Sequence, residues 1–340
     1  MDSVNSQVIG IDAGKNWFHV VVMDSRGQQT DRRKLRRDAL LEYIAQHERC
    51  LIAMESCAGT QFLATKMQAL GHEVRLVPAQ FAAPFRKSNK NDFNDAEAVA
   101  EAAMRGHMRF SRVKSIEELD LQALHRARDR LIRERTGQIN QIRAFLLENG
   151  ITVAQGRAKL QHRLPELMRD ANSGLSGVML HLLDILVGRW RELDNAISKL
   201  THEIELIARA SELCQRLVSI PGIGTLSATA LVAAVGDARQ FRHARDLAAW
   251  IGLVPRQFST GGKPRLLGVG RRGNGYVRKL LIHGARGVMS RLNRSKHRLA
   301  AWLTSLERRV HPNIAAVALA NKLARIAWAV LTKGEIYRPT

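Results

Sequence analysis

The order of strand-like and helix-like runs in the first hundred residues narrows the fold more than any other feature. Residues 7–35 hold three strand-like runs: apolar QVIGID, then β-branched and aromatic WFHVVVMD, then TDRRKL, with the turn-forming SRGQQ between the last two. A short helix over 37–47 follows. Next come a buried strand LIAMES (51–56), a helix over about 59–70, a strand EVRLVP (73–78) and a helix from Asp92 to about residue 105. Three antiparallel strands followed by alternating helices and strands predict a mixed sheet of the α/β class.

That order places carboxylates in a telling way. Asp12 closes the first strand and Glu55 closes the buried one, while Asp92 and Asp95 open a helix. Residues three apart on a helix share a face, about 5–6 Å apart at Cβ. If the first and fourth strands are neighbours, as in a ribonuclease H-like sheet, Asp12 and Glu55 meet at one edge. The helix at 92 then brings two more acids to the same point. Such a cluster needs a counter-charge. One or two Mg²⁺ ions supply it, since this hard cation takes carboxylate oxygens and supports phosphodiester chemistry. Each acid also has a plainer reading. Asp92-x-x-Asp95 fits a capping box with Asp92 as N-cap, Asp12 fits a turn, and Glu55 fits a partner for a lysine. The order Asp, Glu, Asp, Asp within one α/β unit favours the cluster. Lys87 and Lys90, just before it, are then placed to face substrate phosphate.

Residues 115–149 change character. Leu121, Leu124, Leu131, Ile139, Ile142 and Leu146 recur near helical spacing among charges, and a second helical stretch covers about 176–209. The two read either as a coiled coil that dimerises or as an antiparallel hairpin within one chain. From 214, LVSIPGIGTLSATALVAAVGD reads as helix, glycine turn, helix. Its Gly222 and Gly224 serve either a helix-hairpin-helix turn that admits a phosphate or a plain αα-hairpin. Residues 239–300 then hold fifteen Lys and Arg against one acid, Asp246. Within them, Arg256, Lys263, Arg265, Arg271, Arg272 and Arg278 flank Ser259 and Thr260, which precede Gly261-Gly262-Lys263. A hydroxyl among glycines and cations suits a nucleophile that meets a phosphate, once a base or metal activates it. A solvated polar loop is the alternative. The G-x-x-x-x-G-K-[ST] spacing of a Walker A loop is absent. A last amphipathic helix covers 313–334.

Charge identifies the partner class. The 53 Lys and Arg outnumber 31 Asp and Glu, a net charge of +22, while 45% of residues are hydrophobic. A folded chain this basic calls for a polyanion, and nucleic acid fits better than membrane. No apolar run reaches the roughly 18 residues of a span, and MDSVNSQVIG lacks the pattern of a secretory signal. Cys50, Cys57 and Cys214 are scattered, which fits a reducing cytosol without disulfides. IDAGK also resembles the phosphate loop of actin-like ATPases. The second Asp-Gly loop and Gly-Gly adenosine site of that fold are not found in convincing context, and the charge suits it poorly.

Taken together, IGIDAGKNWFHVVV, AMESCAGT, KNDFNDAEAVAEA, the long run SIPGIGTLSATALVAAVGDARQFRHARDLAAWIGLVPRQFSTGGKPRLLGVGRRGNGYVRKLL and ANKLARIAWAVLTKG resemble the DEDD transposases of bacterial insertion sequences. The family is the one numbered one-ten, nearest its eleven-eleven branch, and the likeness spans nearly the whole chain. It implies a RuvC-like α/β domain over 1–110, a helical or coiled-coil connector over 111–210 and a mainly α C-terminal transposase domain over 211–340. It also implies metal binding by Asp12, Glu55, Asp92 and Asp95. A serine of the C-terminal domain would bond covalently to DNA, and a structured bridge RNA would guide donor and target DNA. The acids and the serine would come from different protomers of a dimer or tetramer in the bacterial cytoplasm. The family serine directly precedes a glycine. Here that register falls on Thr260, with Ser259 one position earlier, and the less hindered Ser259 is preferred. The function implied is a site-specific DNA recombinase. A RuvC-like junction nuclease using activated water is the alternative.

Overall fold

Apolar residues pointing to both sides of QVIGID and WFHVVVM bury both faces of the central strands. In a computed structural model describing residues 7–87, 91–295 and 299–338, β1 (Val8–Ala13) and β2 (Trp17–Met23) pair antiparallel. β3 (Gln29–Arg36) adds antiparallel to β2. The turn before β3 is held by Asp24, whose Oδ1 accepts from the N–H groups of Arg26 and Gln28, both at 2.9 Å. There follow α1 (Arg37–Ala45), β4 (Leu51–Glu55), α2 (Thr60–Ala69), β5 (Glu73–Val77), the single turn α3 (Ala79–Ala82) and α4 (Asp92–Ala103). The strand order is β3-β2-β1-β4-β5, with β1–β4 and β4–β5 parallel. The first and fourth strands are therefore neighbours, as the carboxylate cluster requires.

The sheet is covered on both faces. Phe18, Val20, Val22, Ile9 and Ile11 pack with Leu40 and Ile44 of α1 and Leu63 and Met67 of α2. The opposite side of Val8, Val21, Met23 and Ala53 packs on α4 through Ala96, Val99, Ala100 and Ala103. At Gly10 this second contact involves no side chain on the strand. A Cβ there would lie 2.1 Å from the Ala96 carbonyl oxygen and 2.7 Å from Ala100 Cβ. Glycine in a strand here permits close backbone approach, and the alanine-rich sequence of α4 provides the matching face.

The chain divides into Met1–Ser115 and Ile116–Thr340. The first unit is mixed α/β and the second is mostly helical. The second contains α5 (Ile116–Glu148), α6 (Arg157–Arg169), α7 (Gly177–Ala210), α8 (Glu212–Val218), α9 (Thr225–Val235) and α10 (Ala244–Ile251). A hairpin of β6 (Pro255–Thr260) and β7 (Lys263–Val269) follows, then α11 (Gly275–Arg291), α12 (Leu299–Glu307) and α13 (Pro312–Lys333).

The two long helices α5 and α7 pack on each other within the chain, and they run antiparallel. Arg128 bonds Thr201 at 2.7 Å, Arg135 bonds Asp194 at 2.9 Å and Gln138 bonds the Leu186 carbonyl at 3.3 Å. This is the intramolecular hairpin of the two sequence readings. α6 closes one end, placing Leu160, Leu164 and Leu167 against Ile142, Leu146, Leu183 and Trp190.

One sequence expectation is corrected in α13. By length and composition this helix is apolar enough to cross a membrane, with Lys322, Arg325 and Lys333 its charged residues. In the structure, Leu319, Leu323, Ala327 and Leu331 are buried in the core shared with α8 to α11. It is the central helix of the second unit.

His125 of α5 is buried there as well. Its Nδ1 meets Tyr276 Oη at 2.9 Å and its Nε2 meets Thr229 Oγ1 at 2.9 Å. Thr229 itself donates to the Thr225 carbonyl at 2.7 Å. Thr229 therefore accepts from Nε2–H, and Tyr276 donates to Nδ1, so the ring is neutral. Burial, helped by the nearby Arg128 charge, pulls the His125 pKa down to about 4.

Two outcomes are expected. Gly10→Ala forces α4 off β1, lowering the melting midpoint of the first unit by an amount equivalent to about 1–3 kcal/mol. A midpoint equal to wild type in thermal unfolding would contradict the close contact. For His125, the unfolded chain binds the extra proton between about pH 6.5 and pH 4 while the folded chain does not. Stability of the second unit is therefore full above that window and falls as pH drops through it, by up to about 1.4 kcal/mol per pH unit. His125→Gln removes that portion of the slope in urea titrations run across the window.

Candidate active site

The end of β1 carries Asp12, directly paired with His19 on β2. Glu55 follows Met54, the β4 partner of Ile11, and so ends its strand beside Asp12. A tight turn fixes it: Ser56 N–H donates to the Val77 carbonyl at 2.8 Å, and Cys57 N–H to the Glu55 carbonyl at 2.9 Å. α4 contributes the other two acids from its first turn.

The N-cap of α4 is Asn91. Its side chain accepts from Phe93 N–H at 2.9 Å, and its carbonyl accepts the first helical bond from Asp95. The capping-box assignment to Asp92 is thus corrected by one residue. Among the described residues Asp92 makes no capping bond, and its side chain remains 58% exposed. Its Oδ2 instead lies 3.4 Å from His19 Nδ1. The His19 ring in turn stands edge-on to Phe93 with centroids 4.8 Å apart. Oxygens of Asp12 and Asp92 and a nitrogen of His19 lie within 4.8 Å of one another.

Asp12 reports the convergence. Its carboxyl is pushed above the usual range, first by burial, then by the negative charges of Asp92 and Asp95. His19 pulls it back, and Glu55 raises it further. These charges are near enough to act on Asp12, while the groups whose ligand atoms come within 4.8 Å of one another are Asp12, His19 and Asp92. Asp95 is mostly buried; its Oδ1 contacts Arg86 Nε at 2.5 Å, yet accepts no well-aligned hydrogen bond. Among the described residues, Asp12 and Asp92 with His19 are the donors close enough to share a divalent cation, and carboxylate oxygens are what hard cations take. His19 and Arg86 were not visible as site residues in the sequence, because only β-pairing and the fold of residues 83–87 bring them here.

Other expectations fare differently. Lys87 is exposed, and its ammonium is ion-paired to Glu97 at 2.8 Å and Glu101 at 2.5 Å. Lys90 lies outside the described residues. Gly222 has φ +84°, and a Cβ there would meet Val288 Cγ2 at 2.6 Å and the Gly284 carbonyl at 2.8 Å. Glycine is needed at that position for packing on α11, whatever it meets outside. Gly224 is the N-cap of α9, with open space where a Cβ would stand. Arg278 is turned inward, donating to the carbonyls of Arg272 at 2.7 Å and Gly252 at 3.4 Å, so it braces the loop before α11. Arg256, Lys263, Arg265, Arg271 and Arg272 are exposed.

Ser259 and Thr260 stand on a strand, not in a loop. Gly261 and Gly262, at φ +58° and +76°, form the two-residue turn, with Thr260 paired to Lys263 and Ser259 to Pro264. Alternation sends the two hydroxyls to opposite faces of the hairpin. Ser259 accepts from Gln257 Nε2 at 2.8 Å. Thr260 shares its face with Phe258, Lys263 and Arg265. A one-residue slip is not a small loop adjustment here, since it reverses every side chain.

Comparison with known proteins agrees with this architecture. Residues 9–150 match the family model of the IS110 transposase DEDD domain, and residues 214–300 match that of the IS116/IS110/IS902 family transposases. The chain is 43% identical over 333 residues to the transposase for insertion sequence element IS1328 of Yersinia enterocolitica, covering 98% of this chain and 99% of that one. It is 42% identical over 337 residues to a probable family 20 transposase of Pseudomonas aeruginosa, covering 99% and 100%. It is 41% identical over 332 residues to the transposase for IS1111A of Coxiella burnetii, covering 98% and 91%. With identity of this order along its whole length, the chain belongs to the IS110 family of insertion-sequence transposases, enzymes that cut and rejoin DNA.

Proposed function

We propose that this transposase is a site-specific DNA recombinase whose first unit is a RuvC-like metal site and whose β6–β7 hairpin carries a covalent nucleophile. The observation that supports it best is the approach of Asp12, Asp92 and His19 to within 4.8 Å of one another where β1, β2 and α4 meet. Asp12, Glu55, Asp92 and Asp95 would hold Mg²⁺, one ion or two. When bound, such an ion stabilises charge on the attacking and leaving oxygens of a phosphodiester. The chain's own groups do the rest. Arg86 neutralises Asp95 until the cation arrives, and His19 orients Asp92. Arg271 and Arg272, exposed before α11, hold backbone phosphates, as do Arg256, Lys263 and Arg265 of the hairpin.

Ser259 is the nucleophile of this reading. Its Oγ bonds to phosphorus as the P–O bond of the strand breaks, and the serine proton ends on the departing oxygen. Attack by a strand hydroxyl on the phosphoserine reverses both changes, so one bond energy carries the exchange without ATP. A second reading, with Thr260 in that role, is favoured by the cationic face it shares with Lys263 and Arg265. A structured guide RNA selects donor and target by base pairing. The working assembly is a dimer or tetramer in the bacterial cytoplasm, where free thiols at Cys50, Cys57 and Cys214 are stable. RNA co-purifying with the chain, sequenced and mapped to the flanks of its gene, tests the guide.

Asp92→Asn is expected to abolish DNA cleavage and the rise in melting temperature on adding Mg²⁺ or Mn²⁺, with little change in stability without metal. Asn91→Ala, which removes the actual cap, lowers stability by about 1 kcal/mol and keeps the metal response. The reverse pattern would restore the capping explanation.

Ser259→Ala is expected to eliminate strand exchange and any DNA–protein adduct on a denaturing gel, while binding persists. Loss in Thr260→Ala alone moves the nucleophile by one residue. Cleavage with no adduct in either variant or in wild type identifies a nuclease using activated water.

A further inference from the structure

β3 is an edge strand, and its sequence QTDRRKLR is exposed along most of its length. Pairing with β2 divides its cations between two faces. Arg36 stands opposite Trp17, Lys34 opposite His19 and Arg32 opposite Val21. Directly paired residues share a face of the sheet. Val21 packs on α4 and His19 touches Asp92, so Arg32, Lys34 and Arg36 line the face that carries the acids. Arg32 confirms the side, with its guanidinium 5.4 Å from the Phe93 ring centroid on α4.

One lateral row of the sheet reads Lys34, His19, Asp12 on three adjacent strands. With strands about 4.8 Å apart, Lys34 lies about 10 Å from Asp12 along the sheet. Cations on alternate residues of β3 recur about every 6.8 Å, on the scale of successive phosphates in a stretched single strand. Trp17 stands at the outer end, 45% exposed, with Lys34 Nζ 5.2 Å and the Arg36 guanidinium 6.0 Å from its ring centroid.

Charged residues on an edge strand also deter sheet-to-sheet association. That role explains charge of any placement. It does not explain an exposed tryptophan in register with the cations, nor a row confined to the face of the acids. Among the described residues, Arg32 and Lys34 have no acidic ion-pair partner, while Arg33 on the opposite face is bound to Asp31 at 2.9 Å. Arg36, on the face of the acids, lies 3.9 Å from Asp38, so Arg32 and Lys34 are the cations of that row without an acidic partner among the described residues.

We propose that Arg32, Lys34, Arg36 and Trp17 form a track for a single DNA strand, binding its phosphates and stacking one base on Trp17 as the strand runs to the acid cluster. The track rests on the cleavage reading above, which assigns DNA to this face, and it adds a surface in the first unit to the basic segment of the second. Backbone cations with an exposed aromatic platform are how proteins hold single strands without reading sequence.

The test uses the full-length chain and a fluorescently labelled single-stranded DNA oligonucleotide, followed by anisotropy across a salt series. The triple substitution Arg32→Gln, Lys34→Gln, Arg36→Gln is expected to reduce the slope of log affinity against log salt by about 2, from about 0.7 per phosphate contact. Trp17→Ala weakens binding about ten-fold with the slope unchanged, and Trp17→Phe restores most of it. A 5-iodouracil strand cross-links to the peptide containing Trp17. An unchanged slope in the triple variant, or cross-links confined to residues after 115, overturns the track. Loss confined to an RNA of the same sequence overturns the assignment to DNA. The triple variant keeps its metal-induced rise in melting temperature, and Asp92→Asn keeps its salt slope, so failure of the track and failure of the metal site read out separately.

Discussion

The acid cluster depends on a contact between two backbones. At Gly10 the strand β1 comes so close to α4 that only a hydrogen fits between its Cα and the Ala96 carbonyl. Asp12 lies two residues further along β1, on the same face, while Asp95 and Asp92 lie within the turn of α4 just before Ala96. The seat at Gly10 therefore determines how far the helical acids stand from the strand acid. A bulkier residue would preserve the sheet and the helix, yet separate the two halves of the site. Local geometry then keeps the helix start tolerable for so much charge. The helix dipole favours negative groups in the first turn, Arg86 faces Asp95, and Asn91 takes the capping bond that would otherwise engage Asp92.

Pairing, more than the number of cations, decides which basic residues remain for nucleic acid. Lys87 is close in sequence to the acids but is held by Glu97 and Glu101 on α4. Arg278 belongs to the most basic segment but braces the chain at Gly252 and Arg272. Arg135 is taken by Asp194 within the α5–α7 pair. A net charge of +22 says that a polyanion is the partner, while the unpaired cations say where it lies. Arg271 and Arg272 in one unit, and Arg32 and Lys34 in the other, are exposed and have no acidic ion-pair partner among the described residues.

The mixed sheet and the neighbouring first and fourth strands could be read in the sequence because apolar runs, turn residues and chain order are local signals. The limits fell where one residue or one distant contact decides. Helix starts are uncertain by a residue or two, and that margin separates a capping Asp92 from a capping Asn91. His19 looks like one more member of an apolar strand until β1 pairs with it. Gly222 reads as a phosphate-binding turn, although the need for glycine comes from Gly284, 62 positions later by the numbering. The β6–β7 hairpin gave no warning, since it is exposed on both faces and lacks the alternation that burial imposes on a strand. Gly-Gly there closes a hairpin where a flexible loop was expected.

In the proposed covalent reading, that hairpin turns the choice of nucleophile into a choice of face. The Gly261-Gly262 turn sets the register, so Ser259 and Thr260 cannot exchange places without breaking the pairing to Pro264 and Lys263. A phosphate approaching Thr260 meets Lys263 and Arg265 on the way. One approaching Ser259 meets the amide of Gln257 and the exposed side chain of Leu266. The less hindered hydroxyl stands on the less cationic face, and the hydroxyl with the better electrostatics is β-branched and stiffer. Attack on a phosphodiester is limited by charge building on its oxygens more than by crowding at the nucleophile. Ser259 therefore needs cations from outside the hairpin, whereas Thr260 has two within it.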